Sequence, residues 1–364
     1  MPTCLPGSWC QACGKWWART TTRGRRGGVG TTRQAAGACF GTPPPCRTAR
    51  SVPTLVHLAD PEVDREVHRR RRHVQGPESV AALVDDLARV GYLADEGTAT
   101  AAWLAWRTSR PLLLEGEPGV GKTSLATALA QVLGRDLVRL QCYEGIDASA
   151  ALYDWDHPRQ LLHVRALEAA GGVDADALEH DLWSRRFLLP RPLLRSLEAP
   201  SVLLVDELDR ADDEFEAFLL ELLSDFAVTI PEYGTVTAEV PPLVVVTSNR
   251  TREVHDALKR RCYYHWVEHP DLDRETEIVR RSVPEADAAL AAGVARVVAR
   301  LRDEDLLKAP GVAESIDWAR TLHALGATTV EPAAAARTLG AVLKYREDQQ
   351  RVAAHLAELL AEPA

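Results

Sequence analysis

Gly116-Glu117-Pro118-Gly119-Val120-Gly121-Lys122-Thr123 is the stretch on which the reading of this 364-residue chain turns. Its spacing is GxxxxGK[ST], the phosphate-binding P-loop. Glycines let the backbone wrap an anion with its N–H groups turned inward, a lysine reaches the β- and γ-phosphates, and the terminal hydroxyl holds Mg²⁺. Both flanks suit the motif. Pro111-Leu112-Leu113-Leu114-Glu115 is a short apolar run that predicts a buried strand, and Thr123 to Ala130 predicts a helix, which sets the phosphates of ATP at a helix N-terminus. The candidate nucleotide-binding residues are Gly116, Glu117, Pro118, Gly119, Val120, Gly121, Lys122, Thr123 and Ser124.

Downstream, Ser201-Val202-Leu203-Leu204-Val205-Asp206-Glu207 is an apolar strand ending in two carboxylates, the Walker B pattern. Asp206 joins Thr123 as a candidate Mg²⁺ ligand, through water, because Mg²⁺ keeps much of its hydration shell. Glu207 is placed to polarise the water that attacks the γ-phosphate. A plainer reading is two acids at the top of a sheet, one of them capping the next helix. With a P-loop strand upstream, the pair becomes the second part of one phosphoryl-transfer site. A third strand, Pro242-Leu243-Val244-Val245-Val246-Thr247-Ser248-Asn249, ends in a polar triplet. Asn249 either hydrogen-bonds the attacking water or the γ-phosphate, or caps the next segment; the strand alone leaves both open.

Composition bounds the rest. Hydrophobic residues are 46% and charged residues 26%, an ordinary globular balance, and no apolar run approaches a membrane span. The net charge of −9 hides an asymmetry: residues 1–73 carry thirteen Lys/Arg and four acids, +9, leaving −18 for the remainder. An acidic body lacks the basic surface that a specific nucleic-acid grip needs. The first seventy residues also hold five of the seven cysteines, Cys4, Cys10, Cys13, Cys39 and Cys46, among Gly, Arg, Thr and Pro without apolar periodicity. Residues 1–76 read as a disordered basic extension, and as text upstream of the true start, with translation beginning near Val74. A zinc knuckle from Cys10, Cys13, Cys39 and Cys46 fits less well, because its second pair is spaced too widely. A targeting segment lacks an apolar core. Only Cys142 and Cys262 stand in the body, which suits a reducing, cytoplasmic compartment.

Along the body, Ser79 to Val90 predicts an amphipathic helix with a serine cap, and Asp95 to Arg107 a second helix. Asp136 to Gln141 predicts the second strand. Ala148 to Trp183 is mixed; Tyr153 and Trp155 within it read as packing residues, with client contact as the alternative. Val228-Thr229-Ile230-Pro231 with Tyr233 to Thr237 predicts a hairpin. After Pro270 the pattern is helical, over 272–283, 286–302, 313–325 and 332–349.

Walker A, a Walker B ending in Asp-Glu, and a strand ending in Thr-Ser-Asn resemble, in this order, the AAA+ ATPases. The blocks Asp206 to Ala211, Phe218 to Asp225 and Val228 to Pro231 resemble the MoxR group of that superfamily. Gln141 to Asp147, Thr247 to Leu258 and Lys344 to Gln349 resemble its CoxD-like branch, associated with carbon monoxide dehydrogenase maturation. The likeness covers about Ser79 to Gln350. It implies an α/β fold: a P-loop parallel sheet sandwiched by helices over 77–270, then a small all-helical lid over 271–364. It also implies that the helices before the P-loop pack near the adenine. Ala257 to Cys262 resembles the segment that supplies an arginine finger, which puts that catalytic role on Arg261, with Arg260 as runner-up; a basic turn favourable to the helix dipole is the plainer reading. A finger in trans requires a neighbour at every site, hence a ring oligomer, a hexamer. Where the lid's second sensor arginine is expected stands Ser315, and Arg320 lies a turn and a half further on. The resemblance implies an ATP-hydrolysing remodelling chaperone with a molybdenum-containing dehydrogenase as client and a von Willebrand A-type partner protein. The other classes weighed are a nucleic-acid motor of the same superfamily, an activase of another metabolic enzyme, and a scaffold that binds ATP without turning it over.

Overall fold

The computed structural model describes residues 76–169 and 174–361, together with two short paired strands at Trp9–Cys10 and Lys15–Trp16. The expectations of a disordered extension and of a zinc knuckle fall almost wholly outside the described residues.

The body is built on five parallel strands: β1 (Leu112–Glu115), β2 (Asp136–Gln141), β3 (Ser201–Asp206), β4 (Leu243–Ser248) and β5 (Tyr263–Trp266). Their order across the sheet is β5-β1-β4-β3-β2. The central strands are buried on both faces, so they read as continuous apolar runs rather than alternating ones. Alternate residues feed opposite cores. Leu113, Leu203, Val205, Val244 and Val246 enter one, while Leu112, Leu114, Val202, Leu204, Leu243 and Val245 enter the other. Each such leucine or valine contributes about 1.5–3 kcal/mol by leaving water. The register aligns Ser248 with Glu115 and Gln141 with Asp206, so the strands' carboxyl ends finish together. That end of an open parallel sheet is where ligands bind.

Helices α1 (Val80–Arg89) and α2 (Glu96–Thr108) precede the sheet. Ser79 Oγ and Asp95 Oδ1 accept from the Ala82 and Thr98 amides at 3.1 and 2.7 Å, capping them. Helix α3 (Lys122–Leu133) follows the P-loop, and α4 (Asp213–Asp225) follows β3. Between β2 and β3 lie short helices and an antiparallel ribbon of Tyr153–Trp155 with Leu188–Pro190. Trp155 is buried there, edge-on to Trp183 at 5.0 Å. The predicted hairpin pairs Ala227–Ile230 with Gly234–Thr237.

A third core is wholly helical: α5 (Leu272–Ser282), α6 (Ala288–Arg302), α7 (Val312–Ala324), α8 (Pro332–Val342) and α9 (Arg346–Leu360), around the buried Trp318. The single helix expected over 332–349 is two. Leu343 turns to φ −110°, ψ 120°, and its side chain stays buried. Lys344 Nζ takes up the Ala341 carbonyl at 2.6 Å, and Gln349 Nε2 that of Leu343 at 2.8 Å. The break is closed by side chains, so apolar periodicity alone does not reveal it.

Candidate functional site

At the end of β1 the chain turns through the P-loop. Gly121 takes φ 99°, a left-handed conformation that favours glycine, and α3 starts at the next residue with no side-chain cap. The first amides of α3 are thereby left to an anion. Lys122 is buried, and its Nζ donates to the Gly116 and Glu117 carbonyls at 2.7 and 2.8 Å. Burial pulls its pKa below the usual lysine value, and the carboxylates of Asp209, Glu117, Asp206 and Glu207 pull it back.

The acidic side faces this loop. Asp206 is buried, and its Oδ1 accepts from Thr123 Oγ1 at 3.1 Å and Thr247 Oγ1 at 2.6 Å. A hydroxyl and a carboxylate in contact are hard oxygen donors, and they suit Mg²⁺, which uses few protein ligands beside phosphate and water. Glu207 follows in the left-handed region, at φ 55° and ψ 50°, a costly state for a residue with a side chain. Its amide donates to Thr247 Oγ1 at 2.9 Å, which holds the turn. Its Oε2 accepts from Gln141 Nε2 at 3.0 Å and lies 2.9 Å from Arg210 Nε.

Asn249 is carried by a loop anchored on Asp209, a buried residue of the turn after β3. Asp209 accepts from the Asn249 amide at 3.2 Å, the Thr251 amide at 2.9 Å and Thr251 Oγ1 at 2.6 Å. The next helix, Asp256–Lys259, begins after His255 rather than Asn249. In Asp209→Ala these donors lose their acceptor, at about 1–3 kcal/mol for each one left unsatisfied. We expect unfolding free energy to fall by roughly 3 kcal/mol in a denaturant titration. A loss under about 1 kcal/mol would show that the loop finds other partners.

Two adjoining cavities open here. One, of about 230 Å³, is lined by Pro118, Gly119, Gly121 to Ser124, Asp206, Glu207, Thr247, Asn249 and Ala313. The second, of about 190 Å³, lies between Gly91 to Leu93, the P-loop and Arg274, Ile278, Val312 and Ile316 of the helical part. They share Gly119, Gly121, Ser124 and Ala313. The first is polar and acidic opposite the P-loop; the second mixes Tyr92, Leu93, Val267, Ile278 and Ile316 with Asp95, Glu268 and Arg274. The helical part touches the P-loop directly. The Val312 and Ala313 amides donate to the Gly119 carbonyl at 3.1 and 3.3 Å. A Cβ on Gly311 would stand 2.7 Å from the Pro118 oxygen and 2.9 Å from Gly119 Cα.

The remaining expected residues are placed less centrally. Arg261 Nη1 donates to the Leu220 carbonyl at 2.5 Å and to Ser224 Oγ, tying it to the last turns of α4. The Arg260 side chain is exposed and makes no hydrogen bond or ion pair with the described residues. Ser315 is buried and donates to Glu275 Oε1 at 2.6 Å, and Glu275 is held by Arg302 at 2.6 and 2.7 Å. Arg320 is exposed and donates to the Ser282 carbonyl at 3.3 Å. Cys142 and Cys262 are buried free thiols whose pKa burial pushes up to about 12, so neither is a nucleophile near neutral pH.

Sequence reasoning missed Thr247, Asp209, Arg139 and Gln141. Arg139 and Gln141 alternate on β2, and a polar pair at period two on a strand beside Asp206 is the signal that points to them.

Residues 111–262 match the profile of the AAA domain (dynein-related subfamily). Over 48 residues the chain is 50% identical to midasin from Giardia intestinalis, covering 13% of this chain and 1% of that one. Over 186 residues it is 28% identical to the uncharacterized protein YehL of Escherichia coli (strain K12), covering 47% of this chain and 45% of YehL. The chain thus spans less than half the length of the curated relatives it matches. Among solved structures, the Thermotoga maritima RuvB Holliday junction branch migration motor aligns at 15% identity and a TM-score of 0.39, over 72% of this chain and 71% of that one. The P-loop, the Asp206–Glu207 turn and the Asn249 loop all lie within the matched residues. Among the described residues, no helix is long and apolar enough to cross a membrane.

Proposed function

We propose that this chain is an ATP-hydrolysing AAA+ chaperone of the MoxR type, working in the cytoplasm as a hexameric ring on a molybdenum-containing dehydrogenase. Its nucleotide-binding part spans 77–270 and its lid 271–364. The observation that carries hydrolysis is Glu207. A carboxylate residue in a costly backbone conformation lines the cavity opposite the P-loop. The P-loop amides and Lys122 bind and orient the phosphates. When bound, Mg²⁺ neutralises phosphate charge and is held by Thr123 and Asp206. Glu207 accepts the proton of the attacking water, and Asn249 orients that water. Parent protein that binds ATP but releases no phosphate would overturn this reading.

The ring reading rests on the basic turn before β5. Arg261→Ala is expected to bind ATP normally and hydrolyse it slowly, because its charge acts on a neighbour's transition state. Mixed with Lys122→Ala, which is inactive alone, it should recover part of the activity, since some interfaces then pair an intact loop with an intact finger. Arg260→Ala is the comparison, because its exposed side chain makes no hydrogen bond or ion pair with the described residues, whereas Arg261 is tied to α4. No recovery by co-assembled Arg261→Ala, together with recovery by Arg260→Ala, would move the role one residue upstream.

The client reading, with a von Willebrand A-type partner, rests on the strings Gln141 to Asp147, Thr247 to Leu258 and Lys344 to Gln349. Its test is capture from the native cell on a Glu207→Gln chain held with ATP. Recovery of a molybdenum-containing dehydrogenase supports it; its absence from the retained proteins removes that client.

A further inference from the structure

Arg139 belongs to none of the motifs that mark the site, yet it holds the carboxylate assigned to the metal. Its Nη2 lies 2.5 Å from Asp206 Oδ2, while Oδ1 of the same carboxylate is occupied by the Thr123 and Thr247 hydroxyls. The same Nη2 donates to Gln141 Oε1 at 2.5 Å, and Gln141 Nε2 donates to Glu207 Oε2 at 3.0 Å. One guanidinium therefore bridges to both acids of the site, directly to Asp206 and through Gln141 to Glu207.

Burial sharpens the point. The Asp206 side chain is 4% exposed and the Arg139 side chain 53% exposed. A buried carboxylate is costly unless a cation faces it, and Arg139 is the only cation in ion-pair contact with Asp206 among the described residues. It stands on β2, an edge strand of the sheet, so its half-exposed side chain can swing outward without opening the core.

We propose that Arg139 is a positioning residue that neutralises Asp206 while no metal is present and would give way when Mg²⁺ accompanies the nucleotide. This rests on the ATPase reading above. Two consequences follow from competition between two cations for one carboxylate. Removing the Arg139 charge makes Mg²⁺ bind more readily beside nucleotide. It also weakens nucleotide binding without Mg²⁺, because Asp206 is then left unneutralised near the phosphates.

The test uses the full chain and a fluorescent ADP analogue, titrated with MgCl₂ and, separately, in EDTA. For Arg139→Gln we expect the Mg²⁺ midpoint to fall by about tenfold, the ordinary size of a coupling between two sites. Arg139→Lys, which keeps the charge, should stay near the parent. An unchanged midpoint in Arg139→Gln with nucleotide still bound would reduce Arg139 to a structural ion pair and overturn the proposal. A parent chain that binds no nucleotide at all would instead sink the ATPase reading, so the two failures are distinct. If Arg139→Gln does not fold, phenylglyoxal labelling of the parent decides. Arg139 should react faster with Mg²⁺ and ADP than with ADP and EDTA, and equal rates overturn the proposal.

Discussion

Lys122→Ala is expected to lose ATP binding altogether in calorimetry. The ammonium is the one point charge in the loop aimed at the β- and γ-phosphates, and it is buried against two loop carbonyls to which it donates. Its charge-assisted bonds are worth about 1.5–3 kcal/mol each. Losing two such bonds to the phosphates of ATP weakens binding by roughly two to four orders of magnitude, which takes it out of the calorimetric range. The carboxylates of Asp206, Glu207 and Asp209 remain, and without the lysine they repel the incoming phosphates. Calorimetric affinity equal to the parent's would sink the P-loop assignment.

Glu207→Gln should separate binding from chemistry. The amide keeps the shape of the side chain and still accepts from Gln141, so ATP affinity stays near the parent's. It cannot accept a proton from water, and positioned general bases contribute about 10²–10⁴-fold. Phosphate release should therefore fall by at least roughly a hundredfold, with ATP retained. Hydrolysis at the parent rate would make Glu207 a turn residue and nothing more. Asp209→Ala is the contrasting case, since it acts first on stability.

What sequence can reveal follows from where the information lies. The three site strands announce themselves because burial on both faces makes them continuous apolar runs, and the residues after each strand carry the chemistry. Cap chemistry places the starts of α1 and α2 within a residue, because Ser79 and Asp95 are local signals. The break at Leu343 stays hidden because Lys344 and Gln349 close it through side-chain bonds that no periodicity records. Arg139 and Gln141 stay hidden for another reason. They act across strands, and the pairing of β2 with β3 is set by the whole sheet rather than by either segment. Arg261 is a charge whose sequence context suggests reach to a neighbour, while its geometry within one chain ties it to α4.

The joint between lid and P-loop has a genetic consequence. Its bonds run from the Val312 and Ala313 amides to the Gly119 carbonyl, and its close fit at Gly311 depends on a missing side chain. Truncating the Val312 or Ala313 side chain, as alanine scanning does elsewhere, leaves these backbone bonds in place. An added group at position 311, or at Gly119 across from it, pries it apart, so the tolerance of this joint is one-sided: gain of bulk on either glycine opens the contact between lid and loop.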